Sequence, residues 1–138
     1  MKSLSVAIIT LNEEKNISRC LDSIKEVADE IVIVDSFSTD RTREIALQFG
    51  VRFTEHAFEG YIQQKNWALQ QTTHDNVLLL DADEALSTEL KNSILKEKEK
   101  NFPADAYRMN RCTNYCGKFI KHGLWYPDRK VRLIKKQI

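Results

Sequence analysis

The sharpest chemical signal in the 138-residue chain is Asp81-Ala82-Asp83, delivered by the apolar run Val77–Leu80. Two carboxylates held one small residue apart offer hard oxygen ligands. Such ligands bind Mg²⁺ or Mn²⁺ while the cation keeps several waters and adds substrate phosphate. A cation held this way neutralises a departing diphosphate. The same two aspartates also suit a turn ahead of a helix opening at Ser87. A second polar cluster, Asp35-Ser36-Phe37-Ser38-Thr39-Asp40, follows the apolar run Ile31–Val34. There Asp35 can accept a hydrogen bond from an imide N–H or a ribose hydroxyl, or act as an ordinary loop aspartate. Asp40 precedes a helical run and reads as its N-cap. The third cluster is Thr10-Leu11-Asn12-Glu13-Glu14, and Lys65-Asn66 adds an ammonium that can face phosphate or simply be solvated.

These clusters need elements that bring them together. Leu4–Thr10, Glu30–Asp35, Val51–Thr54 and Asn76–Leu80 read as short buried strands. Apolar residues at helical spacing follow: Ile17, Cys20, Leu21 and Ile24 after a cap at Asn12, then Ile45, Ala46 and Phe49 after Asp40, with Gly50 as the stop. Tyr61–Gln71 is helical in character, and Leu90, Ile94 and Leu95 form the stripe of a charged helix from Ser87 to about Lys100. From Ala106 the pattern becomes strand-like, with Tyr107-x-Met109, a turn at Cys116-Gly117-Lys118 and Val131-x-Leu133. Strands alternating with helices predict a three-layer α/β/α fold in one domain, with a mainly parallel central sheet and a mixed, β-richer C-terminal part. In an open parallel sheet ligands bind beyond the carboxyl ends of the strands. The three polar clusters are therefore expected to share one crevice.

Composition narrows the classes. Lys and Arg total 21 against 20 Asp and Glu, and a net charge of +1 supplies no field for nucleic acid. No apolar run is long enough to span a bilayer, and the opening residues run into a strand pattern rather than a signal peptide, so a cytoplasmic location is expected. Cys20, Cys112 and Cys116 do not form a disulfide framework, and Cys112-x3-Cys116 with His122 lacks a fourth metal ligand. The basic alternation Arg129-Lys130-x-Arg132-x-x-Lys135-Lys136 suits an anionic acceptor or peripheral contact with the inner membrane surface, and equally an exposed strand face. No catalytic role is expected of His56 or His74.

Thr10 to Glu14, Val34 to Thr42, Lys65-Asn66 and Leu80 to Glu84, taken together, resemble the inverting family 2 glycosyltransferases of GT-A fold. The run His122-Gly123-Leu124-Trp125-Tyr126-Pro127-Asp128, with Arg132-Leu133, is similar to the branch containing lipopolysaccharide-core β-1,4-glucosyltransferases. The resemblance implies that Thr10, Asn12 and Glu14 border the nucleotide, that Asp35 contacts uracil and that Lys65 faces phosphate. It further implies that Asp81 lies near the ribose or metal and that Asp83 ligates the metal. Leu124 stands where a glycine is expected, and no His-Glu or Glu-Asp pair follows the last strand, so the catalytic base is expected beyond Ile138. The implied activity is metal-assisted transfer of a hexose, glucose, from a UDP-sugar to a glycan or lipopolysaccharide-core acceptor with inversion. Two rivals use similar residues. A sugar-phosphate nucleotidyltransferase would carry a Gly-rich phosphate loop, which the first strand lacks. A receiver-like signalling domain would use Glu13, Glu14, Asp35 and Lys65.

Overall fold

The computed structural model describes residues 2–110 and 129–136, with side chains over 2–107 and 132–136. β1 (Leu4–Thr10), β2 (Glu30–Asp35) and β4 (Asn76–Asp81) are the β-branched, apolar runs. They pair in parallel at the centre of a six-stranded sheet, with β3 (Arg52–Glu55) parallel at one edge. β6 (Arg129–Lys135) pairs antiparallel with β4, and β5 (Ala106–Asn110) antiparallel with β6. The order is β3-β2-β1-β4-β6-β5. The mixed C-terminal strands thus extend the same sheet.

Period-2 alternation assigns the two faces. Val6 and Ile8 of β1, Ile33 of β2 and Leu78 and Leu80 of β4 bury against α1 (Ile17–Ile24) and α4 (Thr88–Glu99). Ala46 of α2 (Thr42–Leu47) and Phe102 complete this larger core. The intervening residues Ala7, Val32, Val34 and Val77 pack against Ala68 and Trp67 of α3 (Tyr61–Gln71). Both faces of the sheet are covered, which is why the central strands read as continuous apolar runs. The result is the α/β/α layering expected from sequence. Ser87 caps α4 by accepting from the Leu90 amide at 3.1 Å.

Three local expectations change. Asn12 does not cap α1. It adopts φ 51, and its side chain accepts from the Thr39 amide at 2.8 Å, so it bridges two loops while α1 opens at Ile17. Asp40 lies two residues before α2 and accepts from the Thr42 amide (2.9 Å) and hydroxyl (2.5 Å) and from the Glu14 amide (3.2 Å). Its anion is favoured by those donors despite opposing desolvation. Of the basic alternation Arg129 to Lys136, the three cations whose side chains are described all have partners. Arg132 turns inward at 5% exposure, Lys135 pairs with Asp105 at 3.6 Å, and Lys136 donates to the Thr72 carbonyl at 2.6 Å. A membrane-contacting role for these three cations has no support from their placement. No helix among the described residues is long and apolar enough to cross a membrane. The Cys116–Lys118 turn, Cys112, and the His122–Asp128 run lie outside the described residues.

Opposite the strand ends that carry the clusters, Glu30 ties β2 to its neighbours. Its carboxylate accepts from Ser5, from the Thr73 amide and hydroxyl, and from Arg52 at 2.6–2.7 Å. Burial opposes the charge, but these donors outweigh it and hold the carboxyl at about 2. A depressed acid contributes stability above its unfolded value and loses it as pH falls toward its folded value. Glu30→Gln is therefore expected to lower the urea midpoint at pH 6 and to flatten the acid limb between about pH 4.5 and 2. An unchanged acid limb would show that this cluster does not contribute to acid sensitivity.

Candidate active site

The carboxyl ends of β1, β2 and β4 open onto a cavity of about 630 Å³. Thr10, Leu11 and Glu13 come from the end of β1, Ser36 from β2, and Asp81 to Asp83 from β4. Tyr61, Gln64 and Lys65 enter from the start of α3, and Phe58 from the loop before it. The three clusters do share one crevice. Of the residues singled out from sequence, Thr10, Lys65, Asp81 and Asp83 line it, whereas Asn12, Glu14 and Asp35 do not.

The acidic turn is built by Glu84, whose part the sequence did not reveal. Its carboxylate accepts from the Asp81 amide at 2.9 Å, and its amide donates to the Asp81 carbonyl at 3.0 Å. Arg132 then forks onto both Glu84 oxygens at 2.8 and 2.9 Å and donates to the Leu79 carbonyl at 3.3 Å. With side chains only 6% and 4% exposed, this pair is shielded from water. Removing one partner of such a pair strands a buried charge at a cost of about 3–5 kcal/mol. No spacing rule connects residues 48 apart, so only the pairing of β4 with β6 exposes the role.

Asp81 is flanked by two cations, Lys65 Nζ at 3.6 Å and Arg132 Nη2 at 3.9 Å. Asp83 differs. Arg19 fixes its backbone carbonyl at 3.0 Å, but among the described residues its carboxylate takes no hydrogen bond or ion pair. Glu13 faces the same space. Burial raises its pKa, a hydrogen bond from Asn16 opposes, and the charges of Asp83, Asp40 and Asp81 raise it further. Like charges thus crowd this part of the cavity, around a carboxylate that has no partner among the described residues. No group of three or more His, Cys, Asp or Glu arranged for a metal occurs among the described residues. That excludes no Mg²⁺ or Mn²⁺ site, because such ions bind through one or two carboxylates, waters and substrate phosphate. The residues fit a cation of that kind.

The second cluster works as a clamp. Asp35 is 1% exposed, and its carboxylate accepts from the Thr10 hydroxyl (2.7 Å), the Ser38 amide (2.7 Å) and the Ser38 hydroxyl (2.5 Å). It joins the ends of β1 and β2, next to the cavity-lining Thr10 and Ser36. Asn12 and Glu14 extend the join, Asn12 to Ser38 and Thr39, Glu14 by accepting from the Arg41 amide at 3.2 Å. His56 stacks on Trp67 at 4.3 Å, a packing role, and Cys20 is a buried thiol pushed up by desolvation.

Sequence and structure comparisons place this arrangement in a family. The model of Glycosyl transferase family 2 matches residues 5–137, and the chain belongs to that family. An uncharacterised glycosyltransferase of Rickettsia typhi is 44% identical over 94 residues, covering 68% of this chain and 32% of that protein. The lipopolysaccharide core biosynthesis glycosyltransferase LpsC of Rhizobium meliloti is 40% identical over 93 residues, covering 64% of this chain and 34% of its own. The chain thus spans about a third of the length of these curated relatives. Glucosyl-3-phosphoglycerate synthase from Mycobacterium tuberculosis, solved with Mn²⁺, UDP and glucosyl-3-phosphoglycerate, superposes with a TM-score of 0.54 at 30% identity. That match covers 59% of this chain and 34% of the synthase. The sheet is of the GT-A type expected from sequence.

Asp35→Asn places an NH₂ group against donors it cannot accept from. Loss of one hydrogen bond to a charged acceptor is expected to destabilise the fold by roughly 1.5–3 kcal/mol, read from urea unfolding. An unchanged midpoint would mean that the clamp does not hold the two strand ends.

Proposed function

We propose that the chain forms the donor-binding part of a glycosyltransferase that moves glucose from UDP-glucose to a glycan or lipopolysaccharide-core acceptor with inversion. One observation carries the reading. The Asp83 carboxylate, without a partner among the described residues, lines the same cavity as the Lys65 ammonium. A diphosphate bridging those two positions would meet a cation-binding carboxylate on one side and an ammonium on the other. The acceptor class is supported by the similarity to LpsC, and the donor by the synthase solved with Mn²⁺ and UDP-glucose.

Asp83, with Asp81 beside it, would hold Mg²⁺ or Mn²⁺. The bound ion supplies Lewis-acid neutralisation of the diphosphate as the glycosidic bond breaks. The chain's own residues do the rest. Lys65, 3.6 Å from Asp81, is placed to turn from that carboxylate to a phosphate oxygen, compensating charge that develops on UDP. The Arg132–Glu84 fork keeps the Asp81 backbone fixed while it does so. Thr10, held by Asp35, and Ser36 shape the nucleoside end of the cavity, with Asn12 and Glu14 fixing the loops that border it. Inverting transfer also needs a carboxylate base to deprotonate the acceptor hydroxyl.

Asp83→Ala is expected to fold normally and to lose Mn²⁺-dependent UDP binding. The loss should exceed the roughly 10–100-fold that substitution of outer-shell residues costs in metal affinity. Calorimetric titration of UDP with Mn²⁺ or with chelator decides it. Equal UDP affinity in the two proteins would overturn the metal assignment.

A further inference from the structure

We infer that Ser36 is a hydrogen-bond donor to the nucleoside end of the bound donor substrate, and that buried Gln64 sets this polarity. The inference deepens the nucleotide-sugar reading and rests on it. Gln64 is 1% exposed although it sits on the cavity wall. Its Nε2 donates to the Ser36 hydroxyl oxygen at 3.0 Å and to the His56 carbonyl at 3.2 Å. A carbonyl only accepts, so the amide cannot be turned over without setting Oε1 against the His56 oxygen. With the amide fixed, Gln64 Oε1 faces His56 Nδ1 at 3.0 Å, which must carry the proton, and the ring is held in place by its stack on Trp67. Both Nε2 protons are then committed, and the Ser36 oxygen is an acceptor toward Gln64. The Ser36 proton has no acceptor among the described residues and is left for whatever fills the cavity.

Place in the sheet says which part of the ligand that is. Ser36 follows β2, whereas the acidic pair ends β4, with β1 between them. Two strand spacings amount to about 10 Å. That is the span from a diphosphate across a ribose to the base, so a ligand anchored at Asp83 puts its nucleoside at Ser36. The hydroxyl then meets an acceptor such as a base carbonyl oxygen. Gln64 acts as a positioning residue, because it holds the serine oxygen from behind and directs the proton forward.

The test compares binding of UDP and of inorganic pyrophosphate, both with Mn²⁺, in the wild type, Ser36→Ala and Gln64→Met. Ser36→Ala is expected to weaken UDP about tenfold, the scale of one neutral hydrogen bond, and to leave pyrophosphate unchanged. Gln64→Met, which frees the serine rotor, should weaken UDP by a smaller factor, again sparing pyrophosphate. A purely structural effect would weaken both ligands together. If the wild type binds UDP no better than pyrophosphate, the nucleotide reading itself fails. If UDP gains from its nucleoside but Ser36→Ala preserves that gain, the nucleotide reading stands and the inference about Ser36 is overturned.

Discussion

The fork between Arg132 and Glu84 is buried where β4 leaves the sheet, and the shape of the acidic turn depends on it. Glu84 is at once the partner of Arg132 and the acceptor for the Asp81 amide. A single carboxylate therefore couples the antiparallel extension of the sheet to the position of the Asp81–Asp83 backbone. Desolvation makes such a pair a poor source of net stability, because an apolar replacement of the same shape is often neutral or better. Its value here is geometric. With Glu84 drawn onto the guanidinium, the turn presents Asp81 and Asp83 to the cavity and withholds the third acid.

The two aspartates then diverge in character. Asp81 stands between Lys65 and Arg132, so much of its charge is compensated within the chain. Among the described residues Asp83 has no such compensation, and it shares its surroundings with Glu13, whose raised pKa reports burial and crowding by like charge. A divalent cation would relieve that crowding and leave Lys65 free for phosphate. The asymmetry between two residues of the same type, two positions apart, follows from the Lys65 and Arg132 cations that flank Asp81.

Much of this was legible in the sequence. β1, β2 and α3 have the bounds that apolar runs and helical spacing predict, because a parallel sheet covered on both faces leaves little choice for such runs. The convergence of three strand ends on one crevice follows from the handedness and order of such sheets. Long-range polar pairing was not legible. Arg132 looked like one member of an exposed basic strand face, and only its register against β4 turns it inward to Glu84. Asn12 looked like a cap, yet a left-handed backbone and an acceptor oxygen made it a bridge to Thr39. Asp35 carried a nucleotide-reading expectation, and its additional tie to Thr10 and Ser38 at the junction of the two strand ends had no counterpart in the sequence pattern. Gln64 gave no signal at all in a polar helical stretch.

The most direct measurement is anomalous scattering from Mn²⁺ in crystals grown with UDP. The account predicts a single strong peak within about 2.0–2.3 Å of an Asp83 carboxylate oxygen, with the diphosphate between it and Lys65 and the base beside Ser36. A peak elsewhere, or a nucleotide bound away from the β4 end with Asp83 uncoordinated, would contradict it.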